Sequence, residues 1–287
     1  MNEYCFLNGK ILPIAEAKVG LKDIGLLRGY GIYDGLTALG GKPFRFVDHW
    51  NRLISGAHIL DLNIPITEEK AEKVIIELLE KNGFGQSTNQ RANVRIILTG
   101  GETVNGIEYD FENPTLYILT EIWESLPKDF YENGSKLVTY RHMRELPEYK
   151  TTNYIRAVNL QNWRKEEKAI EILYVYDNQV LECATSNIFI VKDLPAQAGK
   201  TLITADENIL KGITRKVVLE LAEGKYKIEE RIVGEDELKT ADEVFITSSF
   251  KDIVPIVRID DFEVAGGKVG LVTKDLMERF AKVINIG

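Results

Sequence analysis

A chain of 287 residues, 44% hydrophobic and 28% charged, has the make-up of a globular protein with a substantial core, in one large or two modest domains. Its net charge of −8, from 36 Lys plus Arg against 44 Asp plus Glu, speaks against broad nucleic-acid binding but leaves room for a local anion pocket. Cys5 and Cys183 are too few and too far apart for a disulfide framework. No stretch is apolar enough to span a bilayer, and no signal peptide is read in the first residues, so the expected address is the cytoplasm.

In chain order, Asn8-Gly9 between the apolar runs of Tyr4 to Leu12 predicts a hairpin. Gly29-Tyr-Gly-Ile-Tyr-Asp-Gly35 reads as a glycine-rich turn region. Trp50, Leu53, Ile54, Ala57 and Leu60 recur at helical spacing and predict a helix over 46–60. Thr67 caps a second helix that runs to about Asn82. Val94 to Leu98 and Thr115 to Thr120 read as strands. From Glu121 to Gly134 the apolar pattern weakens, which predicts domains over 1–125 and 135–287 joined by a linker, 126–134.

The second half opens with a strand at Lys136 to Tyr140, then a helix over Thr151 to Ala169. Glu171 to Tyr176 and Gln179 to Glu182 read as a hairpin about Asp177-Asn178, and Asn187 to Val191 and Thr201 to Thr204 as further strands. Ile213 to Ala222 is a helix with Val217, Val218 and Leu221 on one face. Val244 to Thr247 is a buried strand and Val272 to Val283 a closing helix. Strands and helices mixed in both halves fit an α+β protein.

Three segments carry the chemistry. Lys150, in Glu145-Leu-Pro-Glu-Tyr-Lys-Thr-Thr-Asn-Tyr154, offers an amine able to form an imine. Glu182, in Leu181-Glu-Cys-Ala-Thr-Ser-Asn-Ile-Phe189, offers an acid to face a pyridine nitrogen. Leu210-Lys-Gly-Ile-Thr-Arg215 opens a helix whose free N–H groups suit a phosphate. Pyridoxal 5'-phosphate (PLP) needs all three. Taken singly, each has a plainer reading: a surface lysine, a strand-end carboxylate, a glycine-preceded helix start. Together, in this order and spacing, they resemble the class IV (fold type IV) PLP-dependent aminotransferases. That family includes branched-chain amino acid aminotransferases, D-amino acid transaminases and aminodeoxychorismate lyases.

The resemblance covers nearly the whole chain. It implies a small N-terminal α/β domain packed on a C-terminal pseudo-barrel, PLP between them, and a homodimer. It further implies that Lys150 attaches the cofactor and moves protons at the substrate α-carbon, that Glu182 pairs with the pyridine nitrogen, and that Tyr154 hydrogen-bonds the phenolic oxygen. Ile213 and Thr214 would bind the phosphate, joined by Ser249, with Ser248 beside it, after the strand that ends at Thr247. Arg52, in Asp48-His-Trp-Asn-Arg-Leu53, resembles the family's His-x-x-Arg-Leu region, whose arginine reaches the phosphate. Asn187 would brace its loop, and Tyr33 would line the substrate pocket.

The subgroup is less sharply marked. Lys150-Thr-Thr-Asn153 has the Lys-x-x-Asn spacing of D-amino acid transaminases and the lyases, whereas Tyr154 after Asn153 matches the branched-chain pattern. The Arg-x-His pattern of D-transaminases is absent, with Asn105-Gly-Ile107 at the matching positions. Arg28, of this or the neighbouring subunit, and Arg95 are expected to bind the substrate α-carboxylate instead. The expected activity is D-amino acid transamination with a 2-keto acid. A branched-chain L-enzyme, an aminodeoxychorismate lyase and a non-catalytic PLP-binding protein are the alternatives. His49, His58 and His142 lack a metal-ligand spacing, and no metal site is expected.

Overall fold

The computed structural model describes residues 3–193 and 199–286. The chain divides into two compact units. One is Met1–Glu124 with Tyr149–Tyr154; the other is Ser125–Glu148 with Ile155–Ile286.

The first unit holds β1 (Tyr4–Leu7), β2 (Lys10–Pro13), α1 (Ile24–Arg28), β3 (Gly31–Leu39), β4 (Lys42–Pro43), α2 (Phe46–Ile59), α3 (Glu68–Lys81), β5 (Arg91–Thr99) and β6 (Thr115–Ile122). Its strands form one antiparallel sheet in the order β2-β1-β6-β5-β3-β4. Strand alternation sends Ala92, Val94, Ile96 and Leu98 of β5 to one face. There they pack with Trp50, Leu53 and Ala57 of α2 and Val74, Ile75 and Leu78 of α3. Each large side chain so buried contributes roughly 1.5–3 kcal/mol. Both helices match their expected spans within a residue, and the Thr67 hydroxyl accepts the Lys70 N–H at 3.3 Å as the cap of α3. The β1–β2 hairpin turns on Asn8 and Gly9, both at positive φ, as the sequence suggests.

One expectation for this unit is corrected. Gly29 to Gly35 is not a turn region: from Gly31 onward it is β3, paired residue for residue with β5. Gly29 alone is left-handed, at φ 67°, where it ends α1. A Cβ on Gly31 would stand 2.7 Å from the Leu98 carbonyl oxygen, so that glycine serves close strand approach.

The second unit holds α4 (Lys128–Glu132), β7 (Ser135–Arg141), α5 (Ile155–Asn159), α6 (Gln161–Glu166), β8 (Glu171–Tyr176), β9 (Gln179–Cys183), β10 (Asn187–Asp193), β11 (Lys200–Thr204), α7 (Ile213–Ala222), β12 (Lys227–Glu230), β13 (Val233–Gly234), α8 (Glu235–Lys239), β14 (Glu243–Ser248), β15 (Asp252–Ile259), β16 (Phe262–Glu263) and α9 (Leu271–Ile286). Its sheet runs β12-β11-β10-β14-β15-β7-β8-β9-β13, with β16 on β15. β10 and β9 stand five strand spacings apart in that order, about 24 Å in a flat sheet. Residues 184–186 alone join them, a link that reaches roughly 14 Å at most. The sheet must curl, and it forms a half-barrel around Leu137, Leu173, Val175, Ile190, Ile246 and Val254.

The expected helix over Thr151 to Ala169 is also corrected. Thr151 bridges Ile32, and the Thr152 N–H donates to the Gly31 carbonyl at 2.9 Å, so this stretch runs extended beside β3. Helix begins only at Ile155 and breaks at Leu160 into the short α5 and α6. Backbone groups already bonded to β3 cannot also serve a helix.

Candidate functional site

Two groups of side chains concentrate the chemistry, one in each unit. In the first unit, β3 sets the group around Lys150. The Tyr33 N–H donates to the Lys150 carbonyl at 2.9 Å. Lys150 Nζ lies 4.5 Å from the centre of the Tyr33 ring, and the Tyr154 ring meets that ring edge-on at 5.6 Å. Three of the expected residues, Lys150, Tyr33 and Tyr154, thus come together.

The next residue on β3, Asp34, points to the opposite, helix-covered face and is fully buried. Its Oδ2 accepts Arg52 Nε at 2.8 Å, and its Oδ1 accepts Arg52 Nη2 at 2.8 Å. The same Oδ1 accepts the Gly35 N–H at 2.7 Å and pairs with His49 Nδ1 at 2.7 Å. Burial alone would raise the Asp34 carboxyl, but the charges of Arg52 and His49 and their hydrogen bonds hold it well below the usual carboxylate range. Burial pushes His49 below its ordinary value despite the pull of Asp34. Burial also works against the Arg52 charge, yet Asp34 outweighs it and raises the guanidinium, with Tyr33 and Tyr154 adding to that hold. Arg52 and His49 therefore sit within electrostatic reach of the lysine–tyrosine group.

The two other expected arginines lie on separate elements, β5 and α1. Arg95 lies opposite Gly35 on β5, on the sheet face of Tyr33, and bonds Glu121 Oε2 at 3.1 Å. Arg28 ends α1, donates to the Leu27 carbonyl, and has Nη2 beside Gly106.

The second unit builds its group on the turn after β9 and the start of α7. Glu182, buried, takes Arg144 Nε at 2.8 Å and Arg144 Nη2 at 2.6 Å on Oε1, and the Leu210 N–H at 3.1 Å on Oε2. Asn187 Nδ2 donates to the Leu210 carbonyl at 2.7 Å, and Asn187 Oδ1 accepts the Gly212 N–H at 3.1 Å. Glu182 and Asn187 together clamp the segment that leads into α7. No side chain caps α7, so its first-turn N–H groups and positive dipole end at Ile213 and Thr214 are left for an anion. Asn187 stands opposite Thr247 in the β10–β14 register, which brings the exit of β14 to this same end. There the Thr247 Oγ1 and Ser248 Oγ are buried without a hydrogen-bond partner among the described residues. A buried hydroxyl left without a partner is costly, and a phosphate oxygen is the acceptor that would satisfy it. An uncapped helix start at the same end of the sheet as an orphaned hydroxyl fits a phosphate group, which takes one of the two, since neighbours on a strand point to opposite faces. Ser249 follows at the strand exit, and Lys251 is drawn inward to Glu171, Thr185 and Ser186.

Sequence reasoning missed Arg144, Asp34 and the partnership of His49. His49 and Arg52 fall three apart on the stripe that also carries Trp50 and Leu53, and charge on a buried stripe demands a partner. Arg144 has no such signal, because Glu182 lies 38 residues away. His58 is exposed on α2, and His142 stacks edge-on against Tyr174 at 4.9 Å. Among the described residues no group of three or more His, Cys, Asp or Glu is placed to hold a metal ion.

Comparison with known proteins bears on these groups. The family described as amino-transferase class IV matches residues 31–259. A protein of Methanocaldococcus jannaschii, named provisionally as a branched-chain-amino-acid aminotransferase, is 32% identical over 97% of this chain and 95% of its own length. The D-alanine aminotransferase of Staphylococcus haemolyticus is 31% identical over 97% of both chains. The Escherichia coli branched-chain amino acid aminotransferase structure superposes with a TM-score of 0.89, over 99% of this chain and 95% of that one, at 23% identity.

Proposed function

We propose a D-amino acid specificity for this chain, which belongs to the class IV aminotransferases, a family of PLP enzymes. The proposed reaction moves an amino group from a D-amino acid to a 2-keto acid, in a cytoplasmic homodimer. When bound, PLP draws off the electrons released with the substrate's α-proton. Lys150 moves that proton, its amine held against the Tyr33 ring. Glu182 would pair with the pyridine nitrogen and help keep it protonated, and Arg144 holds the Glu182 carboxylate in place. Ile213 and Thr214 offer backbone N–H groups to the phosphate, Ser248 and Ser249 offer hydroxyls, and Arg52 offers its guanidinium. Tyr154 would hydrogen-bond the cofactor's phenolic oxygen. Tyr33 lines the substrate pocket, and Arg28 and Arg95 bind the α-carboxylate.

The Lys-x-x-Asn spacing of Lys150 to Asn153 supports the choice of D-substrates, and the register of β3 and β5 supports the carboxylate anchor. Arg95 shares a sheet face with Tyr33, diagonal to it across β3 and β5, and the residue opposite Arg95 is Gly35, which has no side chain to crowd it. An arginine so placed, near the tyrosine that backs Lys150, can serve as a carboxylate anchor without the Arg-x-His pattern. The D-alanine aminotransferases among the relatives agree with this reading. A branched-chain L-specificity is the second reading, favoured by Tyr154 directly after Asn153 and by the Methanocaldococcus relative. Arg28→Ala and Arg95→Ala should each raise the amino acid KM about tenfold to a hundredfold, the loss of a charged hydrogen bond. If neither changes KM, the carboxylate assignment fails.

A further inference from the structure

We propose that Asp34 is a positioning residue that fixes the plane of the Arg52 guanidinium for phosphate, with His49 anchoring Asp34. The proposal rests on the assignment of Arg52 to the cofactor phosphate.

The geometry separates this arrangement from an ordinary ion pair. Arg52 presents one edge, Nε and Nη2, to the two oxygens of Asp34, at 2.8 Å each. Two parallel bonds fix the orientation of a planar group, which a single contact cannot do. Asp34 is itself immobile. It is fully buried, and Oδ1 takes two further donors, the Gly35 N–H of its own strand and His49 Nδ1, both at 2.7 Å. The Gly35 N–H is fixed in β3 and His49 is buried on α2, so the carboxylate is held without the Arg52 side chain and the arginine conforms to it.

Each of those contacts requires an acceptor on Asp34. An ionised carboxylate only accepts, so His49 Nδ1 carries the hydrogen in this pair. Arg52 Nη2 and His49 Nδ1, 3.4 Å apart, are then two donors meeting at one oxygen. The cluster is therefore closed on the Asp34 side, and the guanidinium cannot roll toward His49. An arginine on a helix surface gives up much rotamer freedom when it captures a ligand. Here that ordering is complete before any ligand arrives, which strengthens capture of a phosphate.

The test compares two probes on the full chain after removal of cofactor: PLP, and pyridoxal, which lacks the phosphate. Dissociation constants are measured for the unmodified protein, Asp34→Asn, Arg52→Ala and Arg52→Lys. In Asp34→Asn an amide N–H₂ faces groups that are themselves donors, so the bidentate edge is lost. The PLP constant should rise about tenfold to a hundredfold, toward that of Arg52→Ala, with pyridoxal changed by less than about twofold. Arg52→Lys keeps the charge without the plane and should lose PLP affinity to a similar degree. If Arg52→Ala leaves the ratio of the two constants unchanged, the phosphate assignment of Arg52 falls and the proposal with it. If Arg52→Ala lowers the preference for PLP but Asp34→Asn keeps it, the assignment stands and the positioning role is overturned. Equal losses for both probes in Asp34→Asn overturn it too. Should Asp34→Asn not fold, Arg52→Lys decides: an undiminished preference for PLP refutes the fixed plane.

Discussion

Substituting Gly212 tests how the start of α7 is held. Gly212 has φ −66° and ψ 145°, open to any residue, so Gly212→Ala carries no backbone penalty. The added Cβ, however, would stand 2.2 Å from Asn187 Oδ1 and 3.4 Å from Asn187 Cγ. Asn187 cannot swing aside freely. It is buried and tied by its 2.7 Å bond to the Leu210 carbonyl and by the 3.1 Å bond it accepts from Gly212 itself. Displacing it breaks both bonds and leaves buried polar atoms unpaired, a cost of about 2–4 kcal/mol. Urea unfolding followed by circular dichroism measures the loss, and PLP titration should show weaker binding because the phosphate-facing turn shifts. In an Asn187→Ala background the same glycine change should add less than about 0.5 kcal/mol, since the obstructing atom is gone. Equal costs in both backgrounds, or no cost in the first, would refute the clamp.

Further outcomes follow from the same geometry. Arg144→Ala strands the buried Glu182 carboxylate and should cost about 3–5 kcal/mol of stability; a loss under about 1 kcal/mol contradicts the pairing. Ser248→Ala should act in opposite directions on two measurements. It removes an orphaned hydroxyl, raising the stability of the cofactor-free protein by about 1 kcal/mol, while weakening PLP binding. Because His49 in the fold has its pKa below the unfolded value near 6.5, the unfolded chain takes up a proton first as pH falls. Stability should therefore decline below about pH 6.5, by at most about 1.4 kcal/mol per pH unit from this group, and His49→Asn should flatten that segment of the curve. Asp34, with its carboxyl depressed in the fold, adds stability that is present above about pH 4 and lost only in stronger acid. A curve through pH 5–6.5 that His49→Asn leaves unchanged would show that His49 is not the group responsible.

Much of the fold was legible where local pattern and tertiary demand agree. The apolar stripes of α2 and α3, the Thr67 cap, the hairpin turns at Asn8-Gly9 and Asp177-Asn178, and the span of α7 all follow from spacing within a few residues. The failures share one cause. β3 looks like a turn because Gly29, Gly31 and Gly35 lower its strand signal, and only pairing with β5, some sixty residues on, makes it a strand. Residues 151–154 look helical because nothing local reveals that Thr151 and Thr152 are claimed by β3. The site divides in the same way. Lys150, Glu182 and the α7 start were visible because chemistry and spacing point to one cofactor. Arg144, Asp34 and the role of His49 were not, because each is defined by a partner 15 or more residues away. Their hydrogen bonds exist only once the strands and helices have been set.

The proposed D-specific transamination is tested most directly by the visible spectrum of the purified protein with PLP as D-alanine, D-glutamate, L-leucine and L-glutamate are added separately. The account predicts a visible cofactor band that D-alanine and D-glutamate bleach and the L-amino acids do not. Bleaching by L-leucine and L-glutamate alone would contradict the D-specificity and move the assignment to a branched-chain enzyme.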